Sequence, residues 1–245
     1  MKRFDIEEKG RFVFIIPAYN HGATLPDVVE RALTFNLPVI VVDDGSTDAT
    51  ADRTPTQNRV CLLRHPYNLG KGAAILTGMA EAATSADWAI TLDADGQHDP
   101  ADAIALVRAI PAGERPIVVG AREKMDGINV PWTSRFGRAF SNFWVSISGG
   151  PCLQDTQSGF RIYPLPEALS LKVKARRYQF EVEILVKARW KKMSVVEAPI
   201  HVAYAPPGER ISHFRPFVDF VRNTLTFARL IVQRLFVPAP VRRRR

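Results

Sequence analysis

The sequence predicts an α/β protein built on an open, mostly parallel sheet with helices on both faces. Strand-like and helix-like segments alternate at spacings of roughly 25 residues, which is typical of such sheets. The strand candidates are apolar without polar alternation, as expected for strands that helices cover on both sides. The chain has 245 residues, 46% of them hydrophobic, which is enough for one such domain with a full core.

The first half of the chain supplies most strands of the predicted sheet. Each candidate is a short apolar run that ends at polar or glycine residues, which is the pattern of a buried strand. The runs lie at residues 11–20, 38–42, 60–66, 86–97 and 116–122.

Helices are predicted between these strands. Each begins near a residue that favours a helix start, such as Ser, Thr, Pro or a glycine-bearing turn. The predicted helices begin at Thr24 or Pro26, at Ser46 or Thr47, near residue 68 and at Pro100.

The second half of the chain is less regular. Helical spacing predicts helices at residues 134–147, 176–190 and 215–238, and a short strand follows the glycine of Ser-Gly-Phe-Arg. Residues 193–206 predict a strand pair or a bent strand interrupted by Pro199, and the Arg-rich end predicts a frayed tail. We expect residues 1–205 to form the α/β domain. Residues 206–245 would then add a loop, an amphipathic helix and the tail.

Polar side chains gather where the predicted strands end. In open α/β sheets, ligands bind beyond the carboxyl ends of the strands. A ligand site is therefore expected at the residues that occupy these ends: Tyr19, Asn20, Asp43, Asp44, Asp93, Asp95 and Arg122.

The Asp93-Ala94-Asp95 segment is the clearest chemical signal in the chain. Two carboxylates at one strand end suit Mg²⁺ or Mn²⁺, which accept few protein oxygens and complete their shell with phosphate oxygens. The alternative is an acidic turn that caps a helix, since Asp99 before Pro100 is a good N-cap pair.

Two common nucleotide-binding classes are poorly supported. The Gly70-Lys71-Gly72 group lacks the spacing of a Walker A loop, and no G-x-G-x-x-G follows the first strand. A P-loop NTPase and a dinucleotide-dependent oxidoreductase are therefore disfavoured.

Composition limits the partners and the compartment. The net charge of +8 favours an anionic partner: nucleotide phosphates, anionic lipid or nucleic acid. Cys61 and Cys152 lie in unrelated contexts, as free thiols in a reducing compartment do. With no signal-like N-terminus and no long apolar run, we expect a cytoplasmic protein, peripherally associated with the inner face of a membrane.

Four motifs in order carry a family resemblance: VDDGSTD, HPYNLGKGAAI, TLDADGQHDP and DTQSGFRIY. Together they resemble family-two glycosyltransferases of the GT-A fold. The likeness is greatest to the branch that contains dolichyl-phosphate mannose synthases and polyprenyl-phosphate glycosyltransferases. It covers about residues 12–204, and it implies a Rossmann-like sheet and a nucleotide-sugar donor.

The resemblance implies roles at matching positions. The divalent metal would be held by Asp93, Asp95 and Gln97. The base and ribose pocket would be lined by Pro17, Ala18, Tyr19, Asp43 and Asp44. Lys71 and Arg122 would meet the sugar nucleotide near its diphosphate. The phosphates or the acceptor would be approached by Arg161, Arg210 and Ser212. The sequence departs from the family at His21, where an acid is usual, and in the loop APPGERISHF, which matches the family's basic loop only loosely.

The implied reaction is inverting transfer of a sugar from a UDP- or GDP-sugar to a membrane lipid acceptor, with a polyprenyl phosphate as the leading candidate. Asp95, Asp155 and Arg161 are the predicted catalytic residues. A lipid phosphate needs little base assistance, whereas a hydroxyl acceptor needs a carboxylate base. Asp155 is the first candidate base, followed by Glu181 and Glu183. A glycan or lipid hydroxyl acceptor, and a non-catalytic nucleotide-binding membrane adaptor, stay open as alternatives.

The C-terminal helix carries separate information. At 100° per residue, one face is apolar from Phe217 to Leu235, and the other carries Arg222, Arg229 and Arg234. A basic amphipathic helix is typical of an interfacial anchor on anionic lipid. An ordinary packing helix and a nucleic-acid arm are the alternatives. We expect no nucleic-acid partner, and the sequence leaves the oligomeric state open.

Overall fold

The computed structural model describes residues 9–123, 132–203 and 216–244. Within these residues, seven strands form one sheet in the order β3-β2-β1-β4-β6-β5-β7. The strands are β1 (Phe12–Ala18), β2 (Val39–Asp43), β3 (Val60–Arg64), β4 (Trp88–Thr91), β5 (Ile117–Arg122), β6 (Arg161–Pro164) and β7 (Val195–Ile200).

Helices cover both faces of this sheet, as predicted. They are α1 (Leu25–Leu33), α2 (Lys71–Ala82), α3 (Ala103–Arg108), α4 (Trp132–Ile147), α5 (Phe180–Trp190), α6 (Pro216–Phe236) and α7 (Ala239–Arg244). A 3₁₀ turn at Pro100–Asp102 precedes α3, and the Asp99 side chain accepts from the Ala101 amide, so the predicted cap is confirmed.

The sheet is mostly parallel. Strands β3, β2, β1 and β4 run parallel to one another, and β5 is parallel to β7. Only β6 among the described strands runs antiparallel to its neighbours, β4 and β5. The carboxyl ends of β1, β2 and β4 therefore meet at one edge, where the predicted polar residues lie.

Strand β1 shows why both faces of the sheet are apolar. All seven of its residues are buried, and alternate side chains point to opposite faces. Phe12, Phe14 and Ile16 join the core under α1 and α3, whereas Val13 and Ile15 join the core under α2 and α5. Continuous burial explains the absence of polar alternation in the sequence.

The helix predicted at Ser46 or Thr47 does not form, and residues 47–54 make turns. Side chains there bond to nearby backbone groups: Asp48 accepts from the amides of Gly22 and Thr50, and the Thr54 hydroxyl donates to the Thr50 carbonyl. Such local bonds compete with helical hydrogen bonding. The prediction was wrong because good helix-starting residues are also good turn residues.

Pro199 does not interrupt its strand as predicted. It lies inside β7, which pairs with β5 and forms the edge of the sheet. An edge strand tolerates proline because the missing N–H can lie on the unpaired side.

The predicted frayed tail is partly helical, because α7 packs back on α5. The guanidinium of Arg242 lies 5.0 Å from the centroid of the Trp190 ring, which is cation–π distance.

Helix α6 differs from an ordinary packing helix, because large hydrophobic residues lie on its exposed side and two polar residues lie on its buried side. Its inward side carries Asp219, Asn223, Phe227 and Leu230, all buried. Its outward side exposes large hydrophobic residues: Phe217, Val218, Phe220, Val221, Leu225, Val232, Leu235 and Phe236. None of the described helices is both long and apolar enough to span a membrane.

Candidate functional site

A cavity of about 590 Å³ lies at the carboxyl edge of the sheet. It is lined by residues at the carboxyl ends of β1, β2 and β4, by the loop before α2 and the start of that helix, by the turn that precedes α5, and by α6. Of the predicted site residues, the lining includes Pro17, Ala18, Tyr19, Asp44, Lys71, Asp93 and Asp95. The cavity therefore lies at the strand ends where a ligand site was expected.

The acids after β4 form one wall of the cavity. The Asp95 carboxylate accepts from the backbone amide of Gln97 at 3.0 Å and from its side-chain amide at 2.8 Å. Burial and the nearby Asp93 carboxylate raise the pKa of Asp95 to about 6. The two acids are close enough to repel each other when both are ionised, and a bound cation would relieve that repulsion.

Lys71 occupies the space between this wall and α5. Its Nζ lies 2.8 Å from Asp93 Oδ1 and 2.6 Å from Glu181 Oε1. Burial alone would lower the pKa of Lys71, but these two carboxylates raise it above its ordinary value. Lys71 therefore stays charged inside the cavity, where a diphosphate would meet it.

The acids fit a divalent metal that shares its ligands with phosphate. Among the described residues, no group of three or more His, Cys, Asp and Glu side chains is arranged as a self-sufficient metal site. Asp93, Asp95 and the Gln97 amide supply three oxygen-bearing groups on one short loop. Mg²⁺ and Mn²⁺ are commonly held by one or two carboxylates together with substrate phosphates, so this donor set suits them.

Asp44 organises the loop that leads into α2. Its two oxygens accept from the His65 ring at 2.7 Å, the Leu69 amide at 2.9 Å and the Gly70 amide at 2.7 Å. Gly70 has φ +107°, and a Cβ there would lie 2.5 Å from the Arg176 carbonyl oxygen. The turn that presents Lys71 therefore requires glycine.

Asp43 lies beneath the cavity and does not line it. Its Oδ1 accepts from the Ser46 amide at 2.9 Å, and Arg64 Nε lies 3.1 Å from its Oδ2. The side chain is fully buried. Its predicted direct contact with the nucleotide is thus not supported by the geometry, and Asp43 holds the turn that carries Asp44.

Asp155 and Arg122 form a buried pair instead of two separate site residues. Arg122 Nε lies 2.5 Å and Nη2 3.0 Å from the Asp155 carboxylate, which also accepts from the Gln157 and Ser158 amides. Burial alone would raise the pKa of Asp155, but the Arg122 guanidinium holds it below its ordinary value. A carboxylate with both oxygens occupied is a poor general base, so the predicted role of Asp155 is corrected to positioning.

Arg161 is fully buried and does not reach the cavity. Its guanidinium donates to the carbonyls of Ser158, Glu181 and Thr156 at 2.7, 2.8 and 2.9 Å. The prediction that it approaches phosphates or acceptor was wrong. Arg161 ties the 156–158 loop to the start of α5. The other two predicted contacts, Arg210 and Ser212, lie outside the described residues.

Comparison with known proteins identifies the family. The model of the family described as "Glycosyl transferase family 2" matches residues 13–163. The chain belongs to glycosyltransferase family 2.

Two relatives of this glycosyltransferase have names that refer to phosphorylated polyprenyl lipids. It is 33% identical to the UDP-N-acetylglucosamine–dolichyl-phosphate N-acetylglucosaminyltransferase of Methanococcus voltae, over 78% of this chain and 84% of that protein. It is 30% identical to the polyprenol monophosphomannose synthase of Mycolicibacterium smegmatis, over 78% of this chain and 76% of that protein.

Solved structures share its fold. Glucosyl-3-phosphoglycerate synthase from Mycobacterium tuberculosis, in complex with Mn²⁺, UDP-glucose and phosphoglyceric acid, aligns with a TM-score of 0.70 at 20% identity. The alignment covers 97% of this chain and 84% of that one. A complex of the same enzyme with Mg²⁺ and UDP aligns with a TM-score of 0.69 at 19% identity, over 97% of this chain and 83% of that one. At these identities the likeness shows the fold of the glycosyltransferase.

Several lining residues of the glycosyltransferase escaped the sequence analysis as site residues. They are His21, Asn68, Arg177, Tyr178, Asp219 and Arg222. Sequence signals existed for four of them. His21 follows β1 closely, Asn68 lies in the motif that leads into α2, and Asp219 and Arg222 are three residues apart in the otherwise apolar start of α6, where they form an ion pair of 3.2 Å. Arg177 and Tyr178 reach the cavity through the packing of distant segments.

Gly159 lies against the charged centre of the glycosyltransferase, and we expect Gly159→Ala to disturb it. A Cβ there would lie 2.6 Å from Lys71 Nζ and 2.8 Å from Asp93 Oδ2. Because both contacts are side-chain ends, the fold should survive while the ammonium and the carboxylate move. Sugar transfer should fall about 10- to 100-fold, since small displacements of positioned groups have effects of this size. Steady-state kinetics, with thermal unfolding as the control, would measure this.

Unchanged transfer by Gly159→Ala would contradict the positions of Lys71 and Asp93. Gly137→Ala is a matched control, because a Cβ there would lie no closer than 3.4 Å to its nearest neighbour, the Gln157 side chain. The control should retain most of the wild-type rate.

Proposed function

We propose that this glycosyltransferase is metal-dependent and inverting, and that it moves a sugar from a UDP- or GDP-sugar to a polyprenyl phosphate in a membrane. One observation carries the proposal. The cavity that contains Asp93, Asp95 and Lys71 is bounded by Asp219 and Arg222 of α6, and the outward face of that same helix is apolar and exposed. The donor site therefore opens beside a surface suited to lipid.

The donor half of the reaction depends on positive charge. When bound at Asp93, Asp95 and Gln97, the metal would supply Lewis-acid stabilisation of the diphosphate. Lys71, held by Glu181, places a second cation beside the same position. As the sugar–phosphate bond breaks, the leaving nucleoside diphosphate gains negative charge, which a preorganised ammonium stabilises without reorientation.

The state of the carboxylates favours a phosphate acceptor over a hydroxyl. Asp155 is held by Arg122, Glu181 by Lys71, and Glu183 by Lys187 and Arg229. All three candidate bases are thus engaged with cations. A lipid phosphate oxygen is already ionised near neutral pH and attacks the anomeric carbon directly, while the nucleoside diphosphate leaves with the electron pair of the broken bond.

The membrane half of the proposal depends on the exposed apolar surface. The outward residues of α6 continue onto α4, where Phe136 and Phe143 are each 57% exposed. Phe140 and Phe220 join the two helices, with ring centroids 4.9 Å apart. A continuous apolar surface of this kind on a chain of net charge +8 suits the interface of an anionic membrane. We propose that residues 206–245, together with the exposed face of α4, serve this role, and that residues 1–205 carry the chemistry, with Asp219 and Arg222 bordering the donor cavity.

The names of the relatives agree with this acceptor class. The Methanococcus voltae protein is named for a dolichyl-phosphate acceptor, and the Mycolicibacterium smegmatis protein for a polyprenol monophosphomannose product. The direct test is incubation of the purified chain with membrane lipids, Mn²⁺ and a panel of nucleotide sugars, followed by mass spectrometry of the lipids. A glycosylated polyprenyl phosphate is the expected product. A glycosylated glycan or lipid hydroxyl would overturn the acceptor assignment.

Charge placed on the outward face of α6 should separate membrane binding from donor binding. We expect the double substitution Leu225→Asp and Val232→Asp to lower transfer to vesicle-borne acceptor by roughly 100-fold or more, because each apolar side chain buried in lipid contributes about 1.5–3 kcal/mol. These side chains are 65% and 54% exposed, so the fold should be unaffected. Nucleoside diphosphate binding, measured by calorimetry, should not change.

A substitution of the same kind elsewhere provides the control. Leu62 is an exposed leucine as well, at 40%, but it lies on β3, at the opposite edge of the sheet from β7. Leu62→Asp should retain vesicle-dependent transfer. Equal losses in both proteins would indicate a general effect of added negative charge and contradict the role of α6.

A further inference from the structure

A second cavity, of about 400 Å³, lies between α5, α6 and α7. Cations surround it: Lys172, Lys174, Lys187, Lys191 and Arg242. Trp190 and Val237 contribute apolar surface to the same cavity. The chemistry of donor binding and sugar transfer makes no use of this basic cavity.

The basic cavity has little local negative charge. Its nearby carboxylate, Glu183, is shared among Lys187, Arg229 and the backbone amides of Lys174 and Ala175. Within the described part of the chain, Lys172, Lys174, Lys191 and Arg242 form no ion pair with a carboxylate. Burial and the neighbouring Lys172 hold the pKa of Lys191 below its ordinary value. An anion in the cavity would relieve this repulsion.

Arg242 gives a second, independent indication of a ligand. Its guanidinium stacks over Trp190, and its Nε is buried without a hydrogen-bond partner among the described residues. A buried donor without a partner is costly. Arg242 lines the cavity, so a phosphate oxygen there could accept from its guanidinium, a group that is well suited to phosphate.

The basic cavity is separate from the donor cavity. Glu181 contacts Lys71 at the start of α5, and Lys191 follows the end of that helix, about 15 Å away at 1.5 Å per residue. Helix α6 passes both cavities, with Arg222 lining the first and Gln233 the second. A flat surface that contacts the outward face of α6 would therefore lie beside both.

We propose that the basic cavity binds the phosphate headgroup of an anionic membrane phospholipid and so fixes the orientation of the enzyme on the membrane. The apolar border favours a lipid over free phosphate. Gln233 and Val237 line the cavity, and between them on the helix Phe236 is 78% exposed, with Leu235 70% exposed. A headgroup in the cavity would leave its acyl chains against these apolar residues. The inference rests on one part of the proposed function, namely that α6 approaches a membrane.

The test compares vesicle binding by matched variants of the full chain. Vesicles of phosphatidylcholine, with or without phosphatidylglycerol, would be mixed with wild-type protein, with Lys174→Gln plus Arg242→Gln, and with Arg59→Gln plus Arg108→Gln. The two double variants lose equal charge, and the second pair lies away from the basic cavity, after β2 and at the end of α3. Arg242→Gln alone provides a milder version should the double variant unfold.

We expect phosphatidylglycerol to strengthen vesicle binding by wild-type protein and by the Arg59→Gln plus Arg108→Gln control. The Lys174→Gln plus Arg242→Gln variant should lose roughly tenfold or more of that gain, because each cation near an anionic surface contributes about 1 kcal/mol. Equal binding by the two double variants would overturn the inference. Calorimetry with inorganic phosphate tests the other source of the same chemistry. Stoichiometric phosphate binding at the cavity, without a phosphatidylglycerol effect, would overturn the lipid assignment.

The same proteins separate this inference from the proposed function. Wild-type protein that shows the phosphatidylglycerol effect but glycosylates no lipid phosphate would contradict the proposed function alone. Protein that glycosylates a polyprenyl phosphate, but whose vesicle binding is the same in both double variants, would contradict the inference alone.

Discussion

Asp95→Ala is expected to lower sugar transfer about 10³-fold or more while the protein stays folded. Asp95 lines the donor cavity and contacts Gln97, so its removal takes away one of three oxygen-bearing groups proposed for the metal. Loss of one preorganised charge contact at a transition state typically costs 10²–10³-fold, and the loss of a metal costs more. Initial rates with a nucleotide sugar and a polyprenyl phosphate would measure the effect.

Binding experiments distinguish the proposed role of Asp95 from a structural one. Mn²⁺ should tighten binding of UDP or GDP to the wild-type chain, and this tightening should disappear in Asp95→Ala. Transfer at the wild-type rate by this variant would overturn metal-dependent catalysis at this loop.

Asp99→Ala is the matched control for Asp95→Ala, because it removes an acid from the same loop. Asp99 caps the turn that precedes α3 and pairs with Arg31 at 2.9 Å. Its loss should cost about 1 kcal/mol of stability, as helix caps do, and leave transfer nearly intact. A comparable loss of activity in both variants would indicate that the loop, and not the Asp95 carboxylate, is what matters.

The sequence predicted the strand-end half of the site well. Tyr19, Asp44 and Asp93 follow strands whose burial and direction are visible in the apolar runs themselves. Parallel strands place their carboxyl ends at one edge, so no tertiary information was needed to bring these residues together. The position of Lys71 could be predicted for the same reason, because the glycine-bearing turn before it follows β3 in the sequence and begins a helix.

The other half of the site depends on packing that the sequence does not reveal. Arg177 and Tyr178 reach the cavity because α5 packs beside α2, and Asp219 and Arg222 reach it because α6 packs on α4 and α5. Arg161 and Asp155 present the opposite case. Their residue types and loop context resemble ligand-binding residues, yet each finds its partners inside the protein. A sequence motif does not show whether a charged side chain contacts the substrate or holds the loop that carries the substrate-binding residues.

Arg161→Met therefore decides between the two interpretations of Arg161. The structure predicts a loss of about 3–5 kcal/mol in unfolding free energy, because three buried carbonyls, those of Thr156, Ser158 and Glu181, lose their donor. Urea denaturation would measure this loss as a lower midpoint at unchanged slope. Arg161→Lys should recover only part of the loss, since one ammonium cannot reproduce a planar fork that reaches three acceptors.

The exposed Arg59, changed to Met, serves as the control and should leave the midpoint of unfolding nearly unchanged. A phosphate-binding Arg161 would instead give a stable variant with a raised KM for the donor. The predicted pattern is the reverse: reduced stability, with loss of activity that follows the unfolded fraction. Because the 156–158 loop leads into Gly159, which lies against Lys71 and Asp93, any remaining kinetic defect should resemble that of Gly159→Ala. Arg161 would then act on the reaction through the position of that loop and without contact to the substrate.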